Sequence, residues 1–158
     1  MKILGIDPGF ERLGIAVLEK SPLNKREEVL FSECFKTSPK IEFSERLSLI
    51  GKEVKRVIKK YKPEVLAIET LFLTTNQKTV MRVAEARGVV VYECANASMK
   101  IFEASPPQIK IATTGYGKAD KKQVIKMVKI LVKLDKSKES DDELDAIACA
   151  LTAFACLK

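Results

Sequence analysis

Between residues 42 and 61, Phe43, Leu47, Ile50, Val54, Val57 and Ile58 recur at three- and four-residue intervals, the period of a helix with one apolar face. Pro63 ends that pattern, and EVLAIE (Glu64 to Glu69) follows at once as a short apolar run. A run of that length reads as a buried strand, and a strand reached through a helical crossover lies parallel to an earlier one. The pair of features confines the chain to α/β folds, with helices covering a sheet that contains parallel neighbours.

The remaining segments fill in that plan. KILGID (2–7) and LGIAVLE (13–19) read as strands on either side of an Asp-Pro-Gly turn, and EVLFSECFK (28–36) as a third, which makes an antiparallel meander. Residues 76 to 95 predict a helix opened by Asn76, and KIFEAS (100–105) a last strand. Ser105 and Pro106 have the residue types of an N-cap and first helical position for a short helix over 107–112. Asp120 with Gln123, and Ser140 with Glu143, have the spacing of capping boxes, the first before a helix to about Lys133, the second before the final helix. The order β-β-β-α-β-α-β-α-α-α predicts a mixed five-stranded sheet flanked by helices, and 158 residues suit one domain over 1–158.

Composition narrows the chemistry. Lys+Arg 28 against Asp+Glu 21 leaves a net charge of +7. Two explanations stay open: a polyanionic partner such as nucleic acid, or the lysine-rich surface of a heat-adapted protein. With His 0, imidazole is excluded as base, acid or ligand, so catalysis must use carboxylates, lysines, hydroxyls or metal-activated water. Cys34, Cys94, Cys149 and Cys156 form no C-x-x-C pair and read as small apolar residues of a reducing compartment. Asp7 and Glu11 interrupt any hydrophobic leader, and no apolar run approaches the roughly 18 residues of a membrane span, so a cytoplasmic protein without a membrane partner is expected.

Acidic residues are the chemistry-bearing group that remains. Asp7 closes an apolar strand, which turn formation at Asp-Pro-Gly explains in one reading. Glu69 closes the second, parallel strand in the same way. In DDELDAIACA, Asp142 and Asp145 stand three residues apart and share one helix face. Acids in a first turn complement the helix dipole, and this accounts equally well for Asp141, Asp142 and Glu143; Asp145 lies beyond the turn where that benefit acts. Ends of parallel strands meet at the carboxyl edge of a sheet, where open α/β folds place their ligands. Asp7, Glu69, Asp142 and Asp145 together then carry four negative charges, which two divalent cations balance. All-oxygen ligation selects Mg²⁺ or Mn²⁺, and two such ions serve in-line displacement at phosphorus without a histidine.

GIDPG with Gly14 downstream, AIETLF at 67–72, ARG at 86–88, GYGKADKKQV at 115–124 and DELDAIACA at 142–150 occur in an order and spacing that resemble the RuvC family of Holliday junction resolvases. That family belongs to the ribonuclease H-like and retroviral-integrase superfamily, and the resemblance covers essentially the whole chain. It implies a three-layer ribonuclease H-like fold and a structure-selective endonuclease that nicks four-way DNA junctions symmetrically in recombination and repair. It implies Asp7, Glu69, Asp142 and Asp145 as catalytic ligands of two Mg²⁺ ions, with Mn²⁺ as a substitute; Asp141 and Glu143 flank the third ligand. A homodimer and an association with RuvA and RuvB are likewise implied.

The same resemblance places Phe72 where an aromatic stacks on unpaired bases, and Lys110 and Lys121 near the scissile phosphate. Lys118, in the glycine-containing loop, and Arg82, on the helix after Phe72, are further phosphate-contact candidates. From the residues alone, Leu71-Phe72-Leu73 also reads as a plug at a core edge, and Lys122, Lys126, Lys129 and Lys133 as a solvated helix face. Val83, Ala84, Val89 and Val90 are candidates for an isologous dimer contact or for packing on the sheet. The rival functions are an ATPase domain of the actin-hexokinase type, which needs a second such domain, and a RuvX-like nuclease or non-catalytic junction binder.

Overall fold

The computed structural model describes residues 1–21, 26–71, 77–132, 134 and 139–157. Strands β1 (Lys2–Asp7), β2 (Arg12–Glu19) and β3 (Glu28–Lys36) lead into helix α1 (Phe43–Tyr61), strand β4 (Val65–Glu69), helix α2 (Gln77–Asn96) and strand β5 (Lys100–Ala104). Helices α3 (Pro106–Thr114), α4 (Lys121–Leu131) and α5 (Asp141–Cys156) complete the order expected from sequence. The strands form one sheet in the order β3-β2-β1-β4-β5. β1, β2 and β3 pair antiparallel, whereas β4 pairs parallel to both β1 and β5.

Strand alternation decides which layer each residue meets. Leu4 and Ile6 of β1, with Leu66 and Ile68 of β4, point to the side of α1 and α2 and share a core with Ile50, Val54, Val57 and Val90. Ile3 of β1, with Val65 and Ala67 of β4, points to the opposite side, into a core with Val124, Val128, Leu144, Ile147 and Leu151 from α4 and α5. The sheet is thus the middle of three layers. Continuing the period of two, Asp7 follows Ile3 and Gly5, and Glu69 follows Val65 and Ala67. Both acids therefore end their strands on the α5 side.

Local signals set the helix boundaries. Lys62 adopts a left-handed conformation with φ 52° and its N–H closes on the Ile58 carbonyl, after which Pro63 prevents continuation of α1. α3, α4 and α5 each open with a complete capping box, Ser105 with Gln108, Asp120 with Gln123, and Ser140 with Glu143. Asn76 and Lys133, the expected ends of α2 and α4, fall outside the described residues. All four cysteines are free thiols. Among the described residues no helix is long and apolar enough to cross a membrane.

Of the four candidate positions on α2, the valines lie on the packed side and Ala84 on the outward one. Val90 is fully buried and Val83 and Val89 are half-buried, because this side of the helix meets the sheet and α1. Exposed on the other side are Met81, Ala84, Gly88 and Tyr92.

Candidate active site

The carboxyl edge of β1 and β4 brings the first two acids together. Ile6 and Ile68 are register partners in this parallel pair, so Asp7 and Glu69 are the next residues on each strand. α5 supplies the other two by lying across β1 and β2 at main-chain contact. A Cβ at Gly5 would overlap the Ala146 carbonyl oxygen, and one at Gly14 would overlap the Asp142 carbonyl oxygen and come within 3.0 Å of the Asp7 Cβ. Glycine at these two strand positions is what lets the first turns of α5 reach Asp7, since side chains there would hold the helix off the sheet.

The loop after Asp7 is anchored from α1. Arg46, 3 % exposed, donates to the Thr37 hydroxyl at 2.8 Å and to the Phe10 carbonyl at 3.2 Å, with its guanidinium 4.9 Å from the Phe10 ring centre. A buried guanidinium is retained at low cost only when its donors find partners, and here they are Phe10, in the loop that follows the acid, and Thr37, just after β3, whose own hydroxyl donates to the Phe10 carbonyl.

Crowding of like charge is registered most strongly at Asp7. Burial, then Asp145, Asp142 and Glu69 in turn, push its carboxyl from 3.8 up to about 7, against the opposing charge of Lys121. Burial and Asp145 raise Glu69 above its ordinary value, again opposed by Lys121. Asp145 is raised by burial even though the Lys121 ammonium donates to its Oδ2 at 2.9 Å. Asp142 moves the other way. Burial alone would raise it, but hydrogen bonds from Arg12 and Cys34 prevail and hold it below the usual carboxylate range. Beneath the acids lies the fully buried Cys149, whose thiol is driven well up by burial and by Glu69, Asp7 and Asp145. It forms part of the apolar floor.

Geometry separates the three acids at the start of α5. Glu143 is buried, accepts from the Ser32 hydroxyl at 2.9 Å and closes the capping box with Ser140, so it serves the packing of α5 on β3. Asp141 is exposed, with its oxygen 3.7 Å from the Lys121 ammonium. Asp142 accepts from Arg12 Nε at 2.8 Å and also from Nη2, and lies 3.5 Å from the Cys34 thiol. Among the described residues no three Asp, Glu or Cys side chains are yet arranged around one point to hold an ion. Asp142 is turned toward Arg12 and Asp145 toward Lys121.

These residues nonetheless suit divalent cations by charge and donor type. Asp7, Glu69, Asp142 and Asp145 oppose four carboxylates to the two cations Lys121 and Arg12. Burial first, and then this excess of negative charge, raise the carboxyl of Asp7. Every donor is an oxygen, which favours small, hard ions.

Of the expected DNA-contacting residues, Lys121 is the one in contact with the acids. Lys118 is exposed in the turn before α4, and Lys110 is half-buried on α3, which packs against α5. Arg82, on α2, holds its guanidinium 4.9 Å from the ring centre of Phe43, the first residue of α1, and 5.8 Å from that of Phe10, and has no carboxylate partner among the described residues. Phe72 lies outside the described residues. Arg12 and Arg87 received no role from sequence. Arg87 donates to the Glu69 carbonyl at 3.3 Å and pairs with Glu103 at 2.8 Å, fastening α2 to the ends of β4 and β5. ARG at 86–88 was a signal for it.

The model of the family Crossover junction endodeoxyribonuclease RuvC matches residues 3–153. The Crossover junction endodeoxyribonuclease RuvC of Thermosipho melanesiensis is 45% identical over 150 residues, covering 95% of this chain and 94% of that protein. Its counterpart in Finegoldia magna is 40% identical over 151 residues, 96% of this chain and 91% of that one. Among solved structures, T. thermophilus RuvC in complex with Holliday junction substrate superposes with a TM-score of 0.90 at 32% identity, over 99% of this chain and 94% of that one. The yeast mitochondrial Holliday junction resolvase Ydc2, at a TM-score of 0.66 and 15% identity, shares the fold.

Proposed function

Because the chain belongs to the RuvC family of crossover junction endodeoxyribonucleases, and is therefore a nuclease that resolves Holliday junctions on a ribonuclease H-like fold, we propose that Asp7, Glu69, Asp142 and Asp145 are its catalytic metal ligands. The observation that supports this assignment is positional: Asp7 and Glu69 directly follow the register partners Ile6 and Ile68, and glycine at positions 5 and 14 lets the first turns of α5, which carry Asp142 and Asp145, rest against the strand that ends in Asp7. They hold two Mg²⁺ ions, with Mn²⁺ as an effective substitute. If bound by these four carboxylates, such ions would supply Lewis acidity for an in-line displacement at phosphorus that leaves 5′-phosphate and 3′-hydroxyl ends.

The protein's own groups prepare that site. Burial and the neighbouring carboxylates make Asp7 the acid whose charge is held least easily without a cation beside it. Lys121 limits the repulsion among Asp7, Glu69 and Asp145 and presents an ammonium where an anionic phosphodiester arrives. Lys110, Lys118 and Arg82 contact flanking phosphates, and Phe72 stacks on an unpaired base at the crossover, which for an aromatic is worth about 1–3 kcal/mol. Residues 1–158 work as one nuclease domain in the cytoplasm.

The active form is a homodimer, whose two sites place paired nicks across a two-fold substrate. Met81, 68% exposed, and Tyr92, 63% exposed, stand with Ala84 and Gly88 on one stripe of α2 at helical spacing. A Cβ at Gly88 would meet nothing within 4 Å among the described residues, so packing against them does not require glycine there, whereas close approach of a second α2 would. The association with RuvA and RuvB rests on family membership.

Cleavage of labelled four-way junctions, linear duplex and RNA–DNA hybrid in Mg²⁺ or Mn²⁺ tests the proposal. Paired symmetric nicks confined to the junction, lost in Asp7→Asn, are expected. Full activity of Asp7→Asn would refute the ligand assignment, and cleavage of the hybrid alone would refute the substrate.

A further inference from the structure

Each acid on the exposed edge of α5 is met by one cation, but the two cations are built differently. Lys121 of α4 acts on Asp145, Asp141 and Asp7 together, a shared charge at the centre of the site. Arg12, the first residue of β2, directs both Nε and Nη2 to the same Asp142 oxygen, Oδ2, and makes no other ion pair among the described residues. Its side chain is 50% exposed, while that of Asp142 is 21% exposed. A guanidinium does not lose its proton near neutrality, so it can leave the carboxylate only by moving, and solvent beside it gives it room to do so.

From this geometry we infer that Arg12 is the resident counter-cation of Asp142 in the metal-free chain, and that a divalent ion must displace it to gain that ligand. The inference rests on the assignment of Asp142 as a ligand. Arg12 occupies Oδ2, and a divalent ion on either oxygen of that small carboxylate would stand within a few ångströms of the guanidinium, where the two positive charges repel, so the two compete. The arrangement of the acids agrees with competition: Asp142 faces Arg12, and the four carboxylates have not converged. Arg12 is a positioning residue. It sets the orientation of Asp142 and the ion concentration at which the site fills, through a contact that is broken when the site is loaded.

The test measures Mn²⁺ binding to the DNA-free protein by electron paramagnetic resonance of the free ion, which reads weak affinities without any cleavage. A half-exposed ion pair is a modest competitor, so Arg12→Gln is expected to bind Mn²⁺ about two- to fivefold more tightly than the wild-type chain. Arg12→Lys, which keeps the charge without the two-pronged contact, falls between them. In the Asp142→Asn background the Arg12→Gln gain disappears. A residue that merely supported the fold could not raise metal affinity on removal. Equal or weaker binding by Arg12→Gln overturns the inference, as does a gain that persists in Asp142→Asn. If Asp142→Asn alone binds Mn²⁺ as the wild type does, the ligand assignment itself is overturned, a result separable from the others.

Discussion

Replacing Asp7 by asparagine should stabilise the metal-free protein while abolishing cleavage. The magnitude follows from the acid's position. Burial and three neighbouring carboxylates carry its carboxyl from 3.8 to about 7. At about 1.4 kcal/mol per tenfold change in acidity, holding Asp7 ionised in the fold above pH 7 costs about 4 kcal/mol. Asparagine avoids that cost but leaves an amide to be satisfied, so a net gain of about 2–3 kcal/mol is expected. The sign with pH is fixed. Below about pH 4 the aspartate is protonated in both folded and unfolded chains and contributes no penalty. Between pH 4 and 7 the unfolded chain ionises first and wild-type stability falls, and above 7 the penalty is complete. Urea denaturation in EDTA at pH 4.5 and pH 8.5 measures the difference. Asp7→Asn should be the more stable protein at pH 8.5, with the gap mostly closed at pH 4.5. Adding Mg²⁺ should stabilise the wild type and leave Asp7→Asn nearly unchanged. A variant less stable than wild type at pH 8.5, or a gap independent of pH, would show that Asp7 is compensated already and that the acids do not crowd one another.

Gly14→Ala places a Cβ on the Asp142 carbonyl and beside Asp7, so it should cost about 1–3 kcal/mol in urea denaturation and displace α5 enough to suppress junction cleavage. Ser140→Ala removes the α5 N-cap; a loss of about 1 kcal/mol is expected, together with slower cleavage because the turn carrying Asp142 is less firmly held. Lys118→Gln should weaken junction binding and flatten its dependence on salt by about one counterion, measured as affinity against salt concentration, with thermal stability unchanged.

Much of this architecture is readable from local patterns. The crossover from α1 into β4, the antiparallel meander and the three capping boxes are each signalled within a few residues, and the strand period places Asp7 and Glu69 on one face. Asp142 and Asp145 follow from the helical period. Harder to read are contacts that depend on where distant segments meet. Arg12 and Asp142 are separated by 130 positions, and nothing in the turn GFERLG marks its arginine as a partner for α5. Gly5 and Gly14 read as strand glycines until α5 is seen resting on them. Arg46 looks like a solvated position on α1, yet it is buried against the Asp7 loop because Thr37 and Phe10 supply its partners. On α2 the valines indicate an apolar helix without stating which side the sheet will take, and the sheet takes Val90.

The alternation of β1 and β4 carries a consequence for how this chain can change. Asp7 and Glu69 reach α5 only because an even count separates them from Ile3 and Val65, whose side chains fill the core on that side. Loss or gain of one residue within Lys2–Ile6 or Val65–Ile68 would roll the terminal carboxylate into the layer of α1 and α2, although every remaining residue kept its chemistry. Substitution can adjust these strands, but their length is read by the reaction as a parity.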